Sequence, residues 1–592
     1  MKTPASLIRA LFSALLILSH ISYAHAAQEK TGLKDLTPEE DAILKKHKVK
    51  KVRPNDMGLG RINQERKKQG LPPLKKEEGL PEYETESGGA ANSQDSGVLA
   101  TSGVPAQVDN STLVAFPSIA NQGNQSSCVA FASTYYVASH EICLTLGCDN
   151  KTAGQKVLSP KWTYNLINGG VDAGARFSDA FAVMNKHGAP LNVEYPYDSD
   201  FKAWSLNSTH WKGALNSRLS TFAAVAVNTD TGMANLKQIL LNGHVVMVGT
   251  YINSWVYKTV GSGPFAGEKI VTHLNGTLGG HAMTIVGYDD GVWTDINGNG
   301  LVEAGEMGAF KIANSWGANW GNKGFAWASY DAFRTTSTVP NWSVTGRLPL
   351  TQGTSVYFAT YTATTPKALA EVTLSHALRS QISLQFGSSA NTQLSPTSTW
   401  VPFAFANVGG DWAFDGASVE KEGTFYFDIS SLVGTDLNTQ MFYLSLKDSL
   451  AGSALQAKSF KIVDPQVGNT LYAANNVPMF VDAGTGTLNA GNYNPGDVTA
   501  PSVPQNFVAT LNYYKVGKTT KARTLLSWSA STDNVGVAKY RIYRNGVKLT
   551  ETTSLSYTDT SISKGVRYIY EVTALDSKGN ESGKSSSLTI LW

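Results

Sequence analysis

Three short segments hold the side chains best suited to chemistry. The first is Asn121-Gln122-Gly123-Asn124-Gln125-Ser126-Ser127-Cys128-Val129-Ala130-Phe131-Ala132. A cysteine attacks a carbonyl carbon as thiolate, and a free thiol is mostly protonated at neutral pH. Recurring apolar residues predict a helix from Ser126 to about Leu146, with Cys128 at its start. The positive partial charge of a helix N-terminus favours the thiolate there. Gln122, six positions upstream, could donate its amide to an oxyanion if the loop folds back. The second segment, Gly279-Gly280-His281-Ala282, opens an apolar strand ending Val286-Gly287-Tyr288. A histidine after two glycines at a strand start keeps an accessible ring. The third is Asn314-Ser315-Trp316-Gly317, followed by Trp320-Gly321 and Gly324-Phe325. An amide beside an imidazole fixes its tautomer without adding negative charge, so a thiolate–imidazolium pair can persist.

These motifs, in this order, resemble the papain family of cysteine peptidases over approximately residues 104–345. The resemblance implies an α+β papain-like catalytic domain, a helical half plus a β-barrel-like half. It implies Cys128 as nucleophile, His281 as general base and then acid, and Asn314 orienting the imidazole. Gln122 would be the oxyanion-hole side chain. On the substrate side, Trp316 would cover the His281–Asn314 hydrogen bond and Ala282 would line the pocket nearest the scissile bond. Two positions depart from the family pattern: Gln125 stands where many members have a disulfide cysteine, and Val129 where an aromatic is usual. Glu194-Tyr195-Pro196-Tyr197 resembles a family landmark of structural kind. No feature imposes exopeptidase behaviour, so endopeptidase action is the expectation.

His281 lies 153 positions after Cys128 and Asn314 lies 186 after it. The first interval is close to the roughly 130–150 residues common in the family; the second implies extra material between His281 and Asn314. That material includes Asp295-Ile-Asn-Gly-Asn-Gly-Leu-Val-Glu-Ala-Gly-Glu306, which satisfies the EF-hand loop template at each specified position. Asp295, Asn297, Asn299, Glu303 and Glu306 would offer side-chain oxygens and Leu301 its carbonyl, a donor set for calcium. No helix pair flanks it, so the expected role is a structural ion. No organic cofactor is expected.

The chain holds three cysteines. Cys143 and Cys148 are close enough to close a small loop, leaving Cys128 free; burial of all three as small hydrophobes is the alternative. Lys2, Arg9, the apolar run Ala10–Leu18 and Ala24-His25-Ala26 read as a signal peptide over 1–26, placing the mature protein outside the cytoplasm, secreted or periplasmic. Residues 27–103 read as a charged, propeptide-like segment and linker, with one helix opening on the capping box Thr37-Pro38-Glu39-Glu40. Residues 104–345 hold helices near Ser159–Leu166 and Phe177–His187, then strands and turns after Leu191.

Residues 350–495, with apolar runs such as Ser355–Tyr361, Phe425–Ile429 and Gln440–Leu446, read as a β-sandwich of unknown type. Residues 500–592 alternate with regular turns and resemble a fibronectin type III module, carried by Leu526-Ser-Trp528, Asp533-Asn-Val-Gly-Val537, Tyr540-Arg-Ile-Tyr-Arg-Asn-Gly546 and Tyr568-Ile-Tyr-Glu-Val-Thr-Ala574. Lys plus Arg total 49 against 46 Asp plus Glu, so charge gives no preference for nucleic acid or acidic membranes. Expected partners are protein or peptide substrates, with extracellular polymer or cell-surface contact through the C-terminal β domains. A catalytically silent peptide-binding or surface-adhesion protein is the alternative reading.

Overall fold

The computed structural model describes residues 30–86, 103–343, 353–406, 408–494 and 496–592. The signal peptide read over 1–26 and most of the linker lie outside the described residues. The chain divides into two compact units, one reaching residue 388 and including 395–491, the other comprising 389–394 and 492–592.

The first unit contains the candidate catalytic residues. Its long helix runs from Cys128 to Leu146, with a π-helical stretch over Phe131–Ala138. It ends at Gly147, whose φ of 68° is the left-handed conformation that glycine adopts without steric cost. Pro160–Ile167 and Phe177–Lys186 form two further helices, the first capped by the Ser159 hydroxyl with proline in its first turn. After Leu191 the expectation of strands alone fails. Helices also occur at Ser208–Ala214 and Asp230–Leu241. The second has an N-cap hydroxyl at Thr229 and buries Leu236, Ile239, Leu240 and Leu241, a helical spacing.

A nine-stranded sheet forms the other half, in the order 221–226, 355–360, 246–251, 280–293, 307–313, 325–329, 269–274 and 255–259, with 107–109 paired to 280–293. Ser355–Thr360 corrects a boundary drawn from sequence. Its apolar run belongs to this nine-stranded sheet, antiparallel to Thr221–Ala226, and not to the following β region. The physical reason is burial on both faces: Val356, Tyr357, Phe358 and Ala359 are all buried, which an edge strand of a separate domain would not provide.

Residues 369–491 build two more sheets, ordered 421–428, 369–376, 455–463, 470–473 (with 479–481 paired to 455–463) and 398–400, 382–390, 440–448, 484–491. Their apolar residues share one core with the helices of residues 128–214. Trp211 meets Phe425 edge-on at 5.0 Å between centroids, and Trp204 meets Phe405 at 5.3 Å. Arg218 pairs with Asp428 at 2.6 Å, both side chains nearly enclosed.

The N-terminal segment holds more than the one helix expected. Thr37 and Glu40 do cap reciprocally at the start of Pro38–Lys45. A second helix, Asp56–Lys68, follows, and Val49–Val52 pairs with Tyr83–Thr85. That second helix has few apolar residues, so periodicity did not reveal it; Asn55 caps it.

The second unit has a three-stranded sheet (508–516, 519–527, 556–559) and a four-stranded one (547–552, 537–544, 567–576, 588–591). Trp528, Tyr540, Ile542 and Tyr570 lie in its core. Asn545 and Gly546, both at positive φ, turn the 537–552 hairpin.

Candidate active site

Cys128 sits at the first position of its helix and is fully buried. The loop before it is held by hydrogen bonds. Gln125 Nε2 donates to the Asp198 carbonyl at 2.9 Å, and Gln125 Oε1 accepts from the Tyr197 hydroxyl at 2.8 Å. Tyr197 also donates to the Gln122 carbonyl at 2.8 Å and meets the Ser127 hydroxyl at 2.6 Å. Ser126 N–H donates to Asp172 at 2.7 Å. Polar contacts to the 172 and 197–198 loops therefore anchor the segment that carries Gln125. Sequence reading assigned Tyr197 a structural role without finding this contact to the nucleophile loop. Val129 is buried in the shared core and points away from any solvent-facing role.

His281 opens the strand Gly280–Trp293, next to Thr250 in the sheet. Gly279 precedes it at φ 74°, and a Cβ there would fall 2.5 Å from the Asn253 side chain, so the turn that presents His281 needs glycine. His281 Nε2 donates to Asn314 Oδ1 at 2.7 Å, leaving Nδ1 without a hydrogen-bond partner. The Trp316 ring covers His281 at 4.5 Å between centroids, and Trp320 packs edge-on against Trp316. Asn314 is fixed in turn: its carbonyl accepts from the Tyr136 hydroxyl at 2.8 Å and its N–H donates to the Gly324 carbonyl. Tyr136 lies on the Cys128 helix, so one residue ties the helical and strand halves together.

Gln122 is buried. Its Oε1 accepts from the Ser315 hydroxyl at 2.5 Å and its N–H donates to the Ser315 carbonyl, which links the nucleophile loop to the Asn314 segment. Gln122 Nε2 donates to Gln125 O at 2.7 Å and to the carbonyl of Lys30 at 3.0 Å. The Trp316 indole also donates to Lys30 O, at 3.2 Å.

Lys30 introduces a feature that sequence reading left open. Residues 30–34 thread directly over the site. Gly32 and Leu33 N–H groups both donate to the Gly280 carbonyl, Lys34 N–H donates to Ala175 O, and Ala175 N–H donates to Gly32 O. Leu33 pairs parallel with Ala175 and is buried in the shared core. The passage is tight. A Cβ on Gly32 would fall 2.0 Å from Ser126 O, and one on Gly174 2.0 Å from Gly32 O. An open groove of about 700 Å³ bordered by Trp320, Phe325 and Trp327 lies beside this site and is not lined by Cys128.

This cover sets the electrostatics. Burial pushes the Cys128 thiol up to about 11, against backbone N–H groups, among them those of Ala282 and Gly32, that favour the thiolate. Burial also lowers His281 to about 4, opposed by the hydrogen bond to Asn314. The helix N-terminus alone led to the expectation of a lowered thiol pKa. In the covered site desolvation outweighs it, and both groups rest neutral. Ala282 is buried directly after His281, with its backbone close to the sulfur.

Cys143 and Cys148 form a disulfide across the end of the helix, and Cys128 is free. The Asp295–Glu306 loop joins the strands Gly280–Trp293 and Met307–Ala313. Asp295 Oδ1 accepts from Gly298 and Asn299 N–H, and Oδ2 from Gly300 N–H at 2.9 Å. Glu306, fully buried, accepts from Ile296 N–H at 2.7 Å and Glu303 N–H at 3.2 Å. The amides of Asn297 and Asn299 both reach the Glu303 carboxylate. Gly298 and Gly300 take positive φ, which bends the loop into this closed form. The donors are all oxygens suited to a hard cation, and the buried Glu306 carboxylate accepts from the neutral backbone N–H groups of Ile296, Asn297 and Glu303.

Residues 104–338, less than half of the chain, match the papain family cysteine protease profile. Among solved structures the chain is similar to xylellain, a cysteine protease from Xylella fastidiosa, at 22% identity over 44% of this chain and 87% of that one, with a TM-score of 0.30. It is likewise similar to the bromelain protease from Ananas comosus, at 21% identity over 44% of this chain and 100% of that one, also with a TM-score of 0.30. Curated relatives match in a different way. An alpha-amylase of Niallia circulans is 47% identical over 94 residues, 16% of this chain and 7% of the relative. Chitinase Chi52 of Paenibacillus xylanexedens is 33% identical over 138 residues, 23% of this chain and 24% of the relative. The chain thus spans less than a quarter of the length of these two relatives. Residues 104–338 form a papain-like cysteine peptidase domain.

Proposed function

We infer that the protein is a cysteine endopeptidase made as a covered precursor and released outside the cytoplasm. The observation that carries this reading is the hydrogen bond from Gln122 Nε2 to the Lys30 carbonyl, beside buried Cys128. A side-chain amide that holds a peptide carbonyl next to a thiol is placed to stabilise an oxyanion.

In the proposed reaction the 30–86 segment leaves and water reaches the site. Cys128 then loses its proton to His281, since the burial that keeps both neutral is relieved. The Cys128 sulfur attacks the peptide carbonyl carbon while Gln122 donates to the developing oxyanion. His281 protonates the leaving amine and the C–N bond breaks. His281 next takes a proton from water, whose oxygen attacks the thioester, and the thiol and the new carboxyl group are released. Asn314 fixes the imidazole tautomer throughout, and Trp316 shields that hydrogen bond.

The Asp295–Glu306 loop is proposed to hold one structural calcium ion through Asp295, Asn297, Asn299, Leu301, Glu303 and Glu306, rigidifying the connection between His281 and Asn314. The two sheets of 369–491 are read as one β-sandwich and the seven strands of 508–591 as a fibronectin type III module. A role for the C-terminal unit at extracellular polymers is proposed with it; the 94-residue match to an alpha-amylase is about as long as one such module.

The test is labelling and hydrolysis. Protein freed of residues 30–86 by limited proteolysis should react with an active-site-directed epoxide at Cys128 and cleave a diverse peptide library, and the label should stop cleavage. Labelling with no hydrolysis would favour the silent peptide-binding alternative.

A further inference from the structure

The C-terminal unit brings three acids together from distant points of the chain. Asp497 lies ahead of the first strand, Asp533 in the loop between 519–527 and 537–544, and Asp576 at the end of 567–576. One ligand oxygen from each lies within 4.8 Å of those of the other two. Asp576 is 2% exposed.

Asp497 and Asp533 are each fastened by one oxygen, and Asp576 by both. Asp497 Oδ1 accepts from Thr499 N–H at 3.0 Å and Asn534 Nδ2 at 2.9 Å. Asp533 Oδ2 accepts from Val535 and Gly536 N–H, both at 3.0 Å. Asp576 Oδ1 accepts from Lys578 and Asn580 N–H at 2.8 and 2.9 Å. The second oxygens of Asp497 and Asp533 are shut off from solvent and have no hydrogen-bond partner, while that of Asp576 accepts from Asn580 Nδ2. Among the described residues, no lysine or arginine forms an ion pair with any of the three.

Fixing one oxygen of Asp497 and of Asp533 leaves the other for a ligand, and buried carboxylate oxygens without a partner are costly. Repulsion among three carboxylates adds to that cost unless a cation offsets it. We propose that Asp497, Asp533 and Asp576 form a divalent-cation site for calcium, which ties the lead into the C-terminal unit to two of its loops. Calcium takes oxygen ligands at about 2.3–2.6 Å in flexible geometry, which suits carboxylates held on three separate segments, whereas magnesium demands near-ideal octahedral geometry.

The test uses the full chain with Glu306→Gln, which silences the Asp295–Glu306 loop, and calcium alone as probe. At about 1 mM calcium, equilibrium dialysis should find one ion per Glu306→Gln chain and none once Asp533→Asn and Asp576→Asn are added. Hydrogen exchange at 497–499, 533–536 and 576–580 should slow about tenfold in the Glu306→Gln chain. Unchanged exchange in those segments overturns the site even if the added substitutions unfold the unit. So does an ion retained by the triple variant, since the proposed ligands are then not its holders.

Discussion

Gln122 Nε2 donates to the carbonyl oxygen of Lys30 at 3.0 Å. The covering segment thus engages the same amide that would act on a substrate. Cys128 and His281 are both neutral beneath it, for one reason, loss of water.

Removing residues 30–86 should therefore raise Cys128 reactivity at neutral pH. In the intact chain, iodoacetamide labelling should rise with pH towards the value near 11 at which the covered thiol ionises. In the processed chain it should become nearly independent of pH around neutrality and at least about a hundredfold faster at pH 7. Equal rates in both forms would show that the segment does not control ionisation.

The covering segment has a second attachment, whose pH dependence can be worked out. His244 Nδ1 pairs with Glu141 at 2.7 Å and His244 Nε2 with Glu82 at 2.9 Å. Burial works against the charge on His244, yet Glu141 and Glu82 hold its pKa well above the ordinary value. Its contribution is full below the unfolded pKa near 6.5 and is lost as pH rises through the raised folded value. Burial raises Glu82, but His244, Asn242 and Asn55 together leave it below the ordinary carboxylate value. Its contribution is present above about 4.5 and is lost as pH falls through the depressed value. Segment docking should be firm at mildly acidic pH and weaken in alkali. Glu82→Gln should loosen it at pH 6, read as faster limited proteolysis within 48–86. A docking constant flat from pH 6 to 10 would remove His244 from this role.

Chelation tests the Asp295–Glu306 loop. If calcium sits there at a concentration about a hundredfold over its Kd, removing it should cost roughly 2.7 kcal/mol of stability. Glu306→Gln should lower the unfolding temperature in calcium and abolish the response of this unit to chelator. Because the loop joins the His281 and Asn314 strands, the processed enzyme should lose kcat along with stability. A variant with unchanged melting in calcium would leave the loop without an ion.

The sheets of 369–491 should prove inseparable from the catalytic half. Trp211 is buried between Trp162 and Phe425, and the strand Ser355–Thr360 lies between Thr221–Ala226 and Val246–Tyr251. Trp211→Ala should destabilise the first unit by about 3–5 kcal/mol. A chain ending at 345 should fail to give soluble, cooperatively unfolding protein; a well-folded product of that length would show the shared core to be dispensable.

Sequence alone named Gln122, Cys128, His281, Asn314 and Trp316 as one site, because short motifs in fixed order carry chemistry wherever they fold. It also determined the Thr37–Glu40 capping box and the Asn545-Gly546 turn, since those depend on neighbours three or four positions apart. Only the tertiary structure decided which sheet the Ser355–Thr360 run joins, because alternation and apolarity are the same in any sheet and the partner strand lies more than a hundred residues away. Only it decided the protonation of the site. A helix N-terminus favours the Cys128 thiolate, but the covering Lys30–Lys34 segment excludes the water that charge requires. The convergence of Asp497, Asp533 and Asp576 belongs to the same class: three ordinary turn aspartates in sequence, one cluster in space.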